Sequence, residues 1–293
     1  VSQWIFMNGE LVKRDEAVVS VYDRGFLFGD GVFEGIRAYN GNVFKLKEHL
    51  VRLFDSAKAI MLNIPLSHEE IEQAVVKTLK KNQLHTAYIR IIVSRGVGQG
   101  YNLDPFVCNR PQLFVMTEGF EAFPRHLYET GIDIVTVATR RNRSDVLSPQ
   151  VKSLNYLNNI LVKIEAIQAG AKDGLIMNTD GYVAEGTTNN IFIVKNGKVV
   201  TPAIYQGALE GITRSSIIEI LNKFQVAVNE SPLTRHDIHT ADEVFLTGTA
   251  SEVIPVVKVD GRVVADGKPG EKTRLLIDAF QQLAVTDGVK FSL

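Results

Sequence analysis

One lysine stands in a polar stretch at mid-chain, Val151-Lys152-Ser153-Leu154-Asn155-Tyr156, just after Ser148-Pro149. An apolar run follows at Leu157, Ile160, Leu161, Ile164 and Ala169. Its three- and four-residue spacings predict an amphipathic helix. Lys152 falls just before or at the start of that helix, where the helix dipole disfavours a cation. A lysine engaged covalently through a deprotonated amine would be at home there. A solvated surface lysine is the alternative, and later stretches bear on the choice.

Glu185-Gly186-Thr187-Thr188-Asn189-Asn190 lies between two expected strands. A carboxylate followed by small and amide residues suits a tight site that meets a buried basic nitrogen; an ordinary solvated turn has the same composition. Gly211-Ile212-Thr213-Arg214 stands at a helix start. Free N–H groups and the dipole make an anion cup there, or Thr213 merely caps the helix. Gly248-Thr249-Ala250 follows a strand and offers the same open-amide chemistry, or is a plain strand-end turn. Arg52, between Leu50 and Leu53, either binds an anion or pairs with a carboxylate such as Asp55.

The elements that must position these residues read as follows. Phe6 to Val12 is a hairpin about Asn8-Gly9, and Val32 to Leu46 a second about Asn40-Gly41. Leu50, Leu53, Phe54, Ala57 and Met61 mark a helix face. Ser67-His68-Glu69-Glu70 is a capping box opening a helix to about Lys81. Tyr88–Val93 and Leu113–Thr117 are strands, joined by a long loop from Gly96 to Pro111. Glu118 to Thr130, with Pro124, reads as a domain boundary. Beyond it come strands at Ile132–Ala138, Leu175–Met177, Asn190–Val194, Lys198–Thr201 and Val244–Thr247. Turns are expected at Asp180-Gly181, Asn196-Gly197 and Asp260-Gly261, and helices at Thr213–Phe224 and Glu271–Leu283. Strands and helices mix without strict alternation, so the fold class is α+β in two domains.

Bulk composition narrows the function. The 293 residues are 45% hydrophobic, enough for a sizeable core. Lys plus Arg is 32 against 33 for Asp plus Glu, a balance that argues against a nucleic-acid binder. The single cysteine, Cys108, rules out an internal disulfide and a cysteine zinc cluster, and no metal site is expected. Val1-Ser2-Gln3-Trp4 shows no basic region leading into an apolar core, and no apolar run is long enough to cross a bilayer. A cytoplasmic enzyme is the expectation.

Phe33-Glu34-Gly35-Ile36-Arg37, His49 to Ala57, Ala87-Tyr88-Ile89-Arg90, Lys152 to Asn159, Glu185-Gly186, Gly211-Ile212-Thr213-Arg214 and Gly248-Thr249-Ala250 together form a recognisable set. In this order they closely resemble the branched-chain-amino-acid aminotransferases, which are fold-type IV pyridoxal-phosphate enzymes. The resemblance runs essentially end to end. It implies a small α/β domain over residues 1–120, an interdomain loop over 121–131, and a larger pseudo-barrel domain over 132–293 that carries the lysine.

The same resemblance implies roles. Lys152 would hold the aldehyde of pyridoxal 5'-phosphate as a Schiff base and shuttle the substrate Cα proton. Glu185 would pair with the pyridine nitrogen. Tyr156, four residues past Lys152 and so near it on one helix face, would donate to the phenolic oxygen. Arg52 would clamp the phosphate. The Ile212 and Thr213 amides beside Gly211 would bind the same phosphate, with the hydroxyls of Thr213 and of Thr249 beside Gly248. Leu209 would pack on the ring, and the Thr249 and Ala250 amides would take the α-carboxylate. Phe28, Phe33 and Tyr88 would wall the side-chain pocket, and Arg90 would receive the distal carboxylate of glutamate. Donors would be L-Leu, L-Ile and L-Val, and the acceptor 2-oxoglutarate. The implied assembly is a homodimer or higher homo-oligomer, with Gly96 to Gly100 resembling a loop that helps close the partner's pocket.

Rival readings share the lysine. A D-amino-acid aminotransferase fits Lys152-Ser153-Leu154-Asn155 equally well, but usually has leucine where this chain has Tyr156. An aminodeoxychorismate lyase and an (R)-amine transaminase are further enzyme rivals. A non-catalytic pyridoxal-phosphate carrier is a rival of another class, against which Lys152, Glu185 and Tyr156 together speak.

Overall fold

The computed structural model describes residues 3–108, 110–120 and 123–293. Val1 and Ser2, Asn109 of the expected long loop, and residues 121 and 122 of the expected interdomain loop lie outside the described residues. The chain divides into two compact units. The first comprises Val1–Phe120, Val151–Asn155 and Ala284–Leu293, the second Glu121–Gln150 and Tyr156–Leu283. The segment carrying Lys152 thus belongs with the first unit, not with the larger domain that the sequence suggested.

The first unit contains β1 (Trp4–Met7), β2 (Glu10–Lys13), α1 (Arg24–Phe28), β3 (Gly31–Tyr39), β4 (Asn42–Phe44), α2 (Leu46–Ala59), α3 (His68–Lys81), β5 (Ala87–Ser94) and β6 (Gln112–Glu118). The second opens with α4 (His126–Thr130), β7 (Ile132–Thr136), α5 (Leu157–Gln168), β8 (Asp173–Met177), β9 (Val183–Gly186), β10 (Asn190–Lys195) and β11 (Lys198–Thr201). It continues with α6 (Ile212–Lys223), β12 (Val228–Glu230), α7 (Arg235–His239), β13 (Glu243–Gly248), β14 (Glu252–Val259), β15 (Arg262–Val263) and α8 (Glu271–Ala284). The chain then returns to the first unit as β16 (Gly288–Lys290), which pairs with β4.

The first unit's sheet has seven strands in the order β16-β4-β3-β5-β6-β1-β2, all antiparallel. The second unit's sheet has nine, in the order β12-β11-β10-β13-β14-β7-β8-β9 with β15 on β14. It is parallel at β11–β12, β14–β7 and β7–β8.

Four Asn-Gly or Asp-Gly pairs make the hairpins that the sequence predicts. At Asn8-Gly9, Asn40-Gly41, Asn196-Gly197 and Asp260-Gly261 both residues take positive φ, the geometry whose twist matches the flanking strands. The capping box at Ser67 forms as expected: Ser67 N donates to Glu70 at 2.7 Å and Glu70 N to Ser67 Oγ at 3.2 Å. Leu46, Leu50 and Leu53 of α2 and Ile71, Val75 and Leu79 of α3 are buried with Val32, Ile36, Ile89 and Ile91 of the sheet. Each such side chain contributes roughly 1.5–3 kcal/mol of burial. Met61 does not extend the α2 face, because the helix stops at Ala59 and Met61 sits exposed with φ 53°. In the second unit Phe192 and Phe245 are cross-strand partners whose rings stack at 5.0 Å.

Glu185, read from the sequence as lying between two strands, is itself on β9, opposite Ile176 of β8. The apolar run on α5 does not face the core: the buried residues there are Asn159, Val162 and Ala166. Hydrogen bonds made by the helix's polar side fix that rotation. Among the described residues no helix is long and apolar enough to cross a membrane.

Candidate active site

Lys152 sits on no helix. Its segment is extended and pairs with the start of β3: Phe33 N donates to Lys152 O at 3.0 Å, Leu154 N to Gly31 O at 2.9 Å, and Val32 and Ser153 form an antiparallel bridge. Lys152 N donates to the Ser56 hydroxyl of α2 at 3.1 Å. The side chain is half-buried, with its amine 4.7 Å from the centre of the Phe33 ring. Helix α5 begins only at Leu157, with Tyr156 as its N-cap residue. Lys152 and Tyr156 therefore do not share a helix face.

The alternation of β3 sorts its side chains onto two faces. Phe33, Gly35 and Arg37 share one face with their β5 partners Ile92, Arg90 and Tyr88. The Arg90 guanidinium lies 4.5 Å from the Phe33 ring centre and 5.6 Å from that of Tyr88. A Cβ built on Gly35 would come 2.1 Å from the Tyr88 hydroxyl, so Tyr88 can lie over the strand only because residue 35 is glycine. Lys152, Phe33, Tyr88 and Arg90 are thus brought together. Phe28 ends α1, with the Arg24 guanidinium 5.2 Å from its ring.

The other face of β3 points at the core and carries a carboxylate. Glu34 is fully buried and accepts from Arg52 Nε at 2.7 Å and Nη2 at 2.8 Å. The ring of His49, one turn earlier on α2, lies 2.7 Å from the same carboxylate. Asp55, the carboxylate suggested from the sequence, is exposed. Burial would raise the Glu34 pKa, but the charges and hydrogen bonds of Arg52 and His49 outweigh it and hold the carboxyl well below its usual range. Burial pushes the His49 pKa down, and Glu34 only partly offsets this.

In the second unit, Glu185 is buried, with Oε1 3.0 Å from Arg141 Nη2. Its Oε2 accepts from Leu209 N at 2.9 Å. Arg141 is buried as well. Its Nε donates to Gly207 O at 3.2 Å and its Nη1 to the side-chain oxygens of Asn158 and Asn159, both at 3.1 Å. Asn159 Nδ2 donates in turn to Thr187 O at 2.6 Å. Leu209 is pinned a second time, by Asn190 Nδ2 on its carbonyl at 2.9 Å.

Helix α6 starts with Gly211 as its cap residue, and no side chain caps it. A Cβ at Gly211 would meet Asn190 Oδ1 at 2.0 Å, and one at Gly248 would meet Asn189 Oδ1 at 2.4 Å. Both positions accept only glycine without rearrangement. Thr213 is buried in the first turn, so it is not the cap. Thr249 and Ala250 form the half-buried turn between β13 and β14. The buried hydroxyl of Thr247, opposite Asn190, has no hydrogen-bond partner among the described residues.

These groups fit a phosphorylated pyridine. The uncapped start of α6 offers amides and a dipole to an anion, and an orphaned hydroxyl stands on the neighbouring strand. Glu185 is a buried carboxylate, the kind of group that can meet a basic ring nitrogen. Sequence reasoning missed Arg141, His49 and Glu34. Only Glu34 gave a signal, being a charge on the otherwise apolar alternation Val32, Ile36, Ala38.

Known proteins resemble this chain in sequence and fold. The amino-transferase class IV family model matches residues 31–259. A Methanocaldococcus jannaschii protein provisionally named a branched-chain-amino-acid aminotransferase is 49% identical over 98% of each chain. The Escherichia coli K12 branched-chain-amino-acid aminotransferase is 36% identical over 95% of this chain and 92% of its own. A branched-chain amino acid aminotransferase from T.th., solved with pyridoxamine 5'-phosphate, superposes with a TM-score of 0.93 at 34% identity, covering 97% of this chain and 95% of that one. That protein has also been solved with N-(5'-phosphopyridoxyl)-L-glutamate.

Proposed function

Because this chain belongs to the class IV aminotransferases, within the branched-chain-amino-acid aminotransferase family, we propose that it moves the amino group of L-Leu, L-Ile or L-Val to 2-oxoglutarate. Its fold is the two-domain fold-type IV architecture. Its activity is transamination of branched-chain amino acids, and its cofactor is pyridoxal phosphate. When bound, that cofactor supplies an electron sink that stabilises negative charge at the substrate Cα.

The chain's own residues then divide the work. Lys152 binds the cofactor through its amine and carries the Cα proton, with its backbone fixed by β3 and Ser56. Glu185 keeps the pyridine nitrogen protonated, and Arg141 compensates the carboxylate's charge in the interior. Tyr156 donates to the phenolic oxygen, and Leu209 packs on the ring. Arg52 holds the phosphate, with the Ile212 and Thr213 amides beside Gly211 and the hydroxyls of Thr213 and of Thr249 beside Gly248. The amides of Thr249 and Ala250 take the α-carboxylate. The working form is a cytoplasmic homodimer or higher homo-oligomer.

One observation carries the substrate reading. The Lys152 amine and the Arg90 guanidinium both lie against the ring of Phe33. Phe28, Phe33 and Tyr88 give an apolar side chain its wall. A buried glutamate carboxylate would be very costly against such a wall without a cation, and Arg90 is that cation. Its long chain lets it pack along the aromatic rings and turn its head toward water when an aliphatic substrate is present. The phosphopyridoxyl-glutamate complex of the T.th. relative supports glutamate in the same role. The test is Arg90→Ala, followed by cofactor absorbance in each half-reaction. The rate with L-Glu should fall by about two orders of magnitude, the loss of a buried charged contact of roughly 2–3 kcal/mol, and that with L-Leu by far less. Equal losses would make Arg90 structural.

A further inference from the structure

A chain of buried hydrogen bonds runs through the second unit from Glu185 to the turn after β13. It begins at Arg141, whose guanidinium meets both Glu185 and the side-chain oxygen of Asn159. Asn159 donates to the carbonyl of Thr187. The amide of Thr187 donates to Asp173 Oδ1 at 3.3 Å, and that of Gly174 to the same oxygen at 2.9 Å. The other carboxylate oxygen, Asp173 Oδ2, accepts from Asn189 Nδ2 at 2.7 Å. Asn189 Oδ1 accepts in turn from the Ser251 hydroxyl. The backbone of Asn189 is tied back to the strand of Glu185, its carbonyl accepting from Gly186 N at 2.6 Å. Arg141, Asn159, Asp173, Thr187, Asn189 and Ser251 are all buried.

The direction of each bond near the turn is set by the one before it. Asp173 receives three N–H groups and acts as an acceptor. It therefore turns the NH2 end of Asn189 toward itself and the amide oxygen toward Ser251, which leaves the Ser251 hydroxyl to donate. The same oxygen fills the space beside Gly248, where a Cβ would come 2.4 Å from it. The turn of residues 248–251 is thus gripped at both ends, at Gly248 by the close approach of the Asn189 amide and at Ser251 by the hydrogen bond. Thr249 and Ala250, between them, are half-buried. A buried carboxylate or amide is costly to leave unpaired, so the frame favours this one arrangement.

We propose that Asp173, Asn189 and Ser251 are positioning residues that hold the Thr249 and Ala250 amides where they meet the substrate α-carboxylate, and tie that turn to Glu185. The proposal rests on the reading that those two amides take the α-carboxylate. Being buried, the three residues act through the turn. A hydrogen bond weakens steeply as its angle closes below about 120°, so a turn that can shift loses its hold on the carboxylate while the apolar wall keeps its place.

Calorimetry on the protein loaded with pyridoxal phosphate tests this with two ligands. One is 4-methylpentanoate, which is L-Leu without its amino group; the other is 4-methylpentan-1-ol, the same carbon chain without the charge. The wild type should bind the acid more tightly than the alcohol by about tenfold or more, the worth of hydrogen bonds to a charged group. Ser251→Ala should weaken the acid by about tenfold and leave the alcohol unchanged. With L-Leu as donor it should raise KM by a similar factor and change kcat little. If Ser251→Ala loses its far-ultraviolet dichroism or its cofactor, Ser251→Cys decides. It keeps the volume, donates more weakly, and should lose about threefold in affinity for the acid alone. Wild-type affinity for the acid in the deciding variant, or equal losses for acid and alcohol, overturns the positioning role and leaves the carboxylate reading standing. A wild type that binds acid and alcohol alike overturns the carboxylate reading and the proposal with it.

Discussion

Buried ion pairs hold two of the residues to which we assign the chemistry. Arg52 stands on Glu34 and Glu185 on Arg141, each through short contacts in the interior. The two pairs should fail differently. Under the proposed roles Arg52→Ala would remove a phosphate ligand and leave Glu34 buried without its arginine, so cofactor retention and stability should both drop, the latter by roughly 3–5 kcal/mol. Glu185→Gln keeps an oxygen for Arg141 and would lose the counter-ion proposed for the ring nitrogen, so turnover should drop while the cofactor stays. Excess pyridoxal phosphate should restore Arg52→Ala but not Glu185→Gln; the reverse pattern would break the assignment. His49 adds a pH signature. Its folded pKa lies below the unfolded value of about 6.5, so the unfolded chain binds the extra proton and stability falls as pH drops through that value. Glu34 acts lower: its ionised form stabilises the fold above about pH 4.3, and that contribution is lost as pH falls further. The gap in thermal midpoint between wild type and His49→Gln should therefore narrow from pH 7 to pH 5; a constant gap would contradict this. Lys152, Arg52 and Glu185 stood out in the sequence by residue type and neighbours, and their proposed roles come from the family resemblance. Arg141 and His49 were not, because a partner across space leaves no trace in local spacing.

At the scale of elements, the strand β3 does two jobs through its alternation. One face holds Phe33 and Gly35 toward Tyr88 and Arg90, and the other sends Glu34 into the core. Gly35 is the point where these jobs meet. Gly35→Ala should displace the Tyr88 ring, because the new Cβ would lie 2.1 Å from its hydroxyl. The expected outcome is a KM for L-Leu raised about tenfold with cofactor absorbance retained; an unchanged KM would show that Tyr88 does not shape the pocket. The hairpins at Asn8, Asn40, Asn196 and Asp260 and the Ser67 cap were readable because each is specified by two to four neighbouring residues. The Lys152 segment was misread as helical, since its pairing with β3 joins residues more than a hundred positions apart. The strand that carries Glu185 was not read from the sequence, because β9 is short and its pairing with β8 is broken by a register shift. On α5 the apolar period predicted the helix, and the structure turns that apolar stripe outward, because periodicity marks a face to be covered without saying by what.

The molecule as a whole is a branched-chain transaminase made of two compact units, whose fold class and family were visible in the ordered set of motifs from Phe33 to Ala250. The connection of units was less visible: residues 151–155 and 284–293 return to the first unit by backbone pairing that no composition change announces. The central claim is that Lys152 drives amino transfer from branched-chain L-amino acids. Its most direct test is a single-turnover absorbance measurement on the purified protein loaded with pyridoxal phosphate. L-Leu, L-Ile, L-Val and L-Glu should each convert the aldehyde form of the cofactor to the amine form, D-Ala should convert it at least a hundredfold more slowly, and Lys152→Ala should show no conversion with any of them. Faster conversion with D-Ala than with L-Leu, or near wild-type conversion by Lys152→Ala, would contradict it.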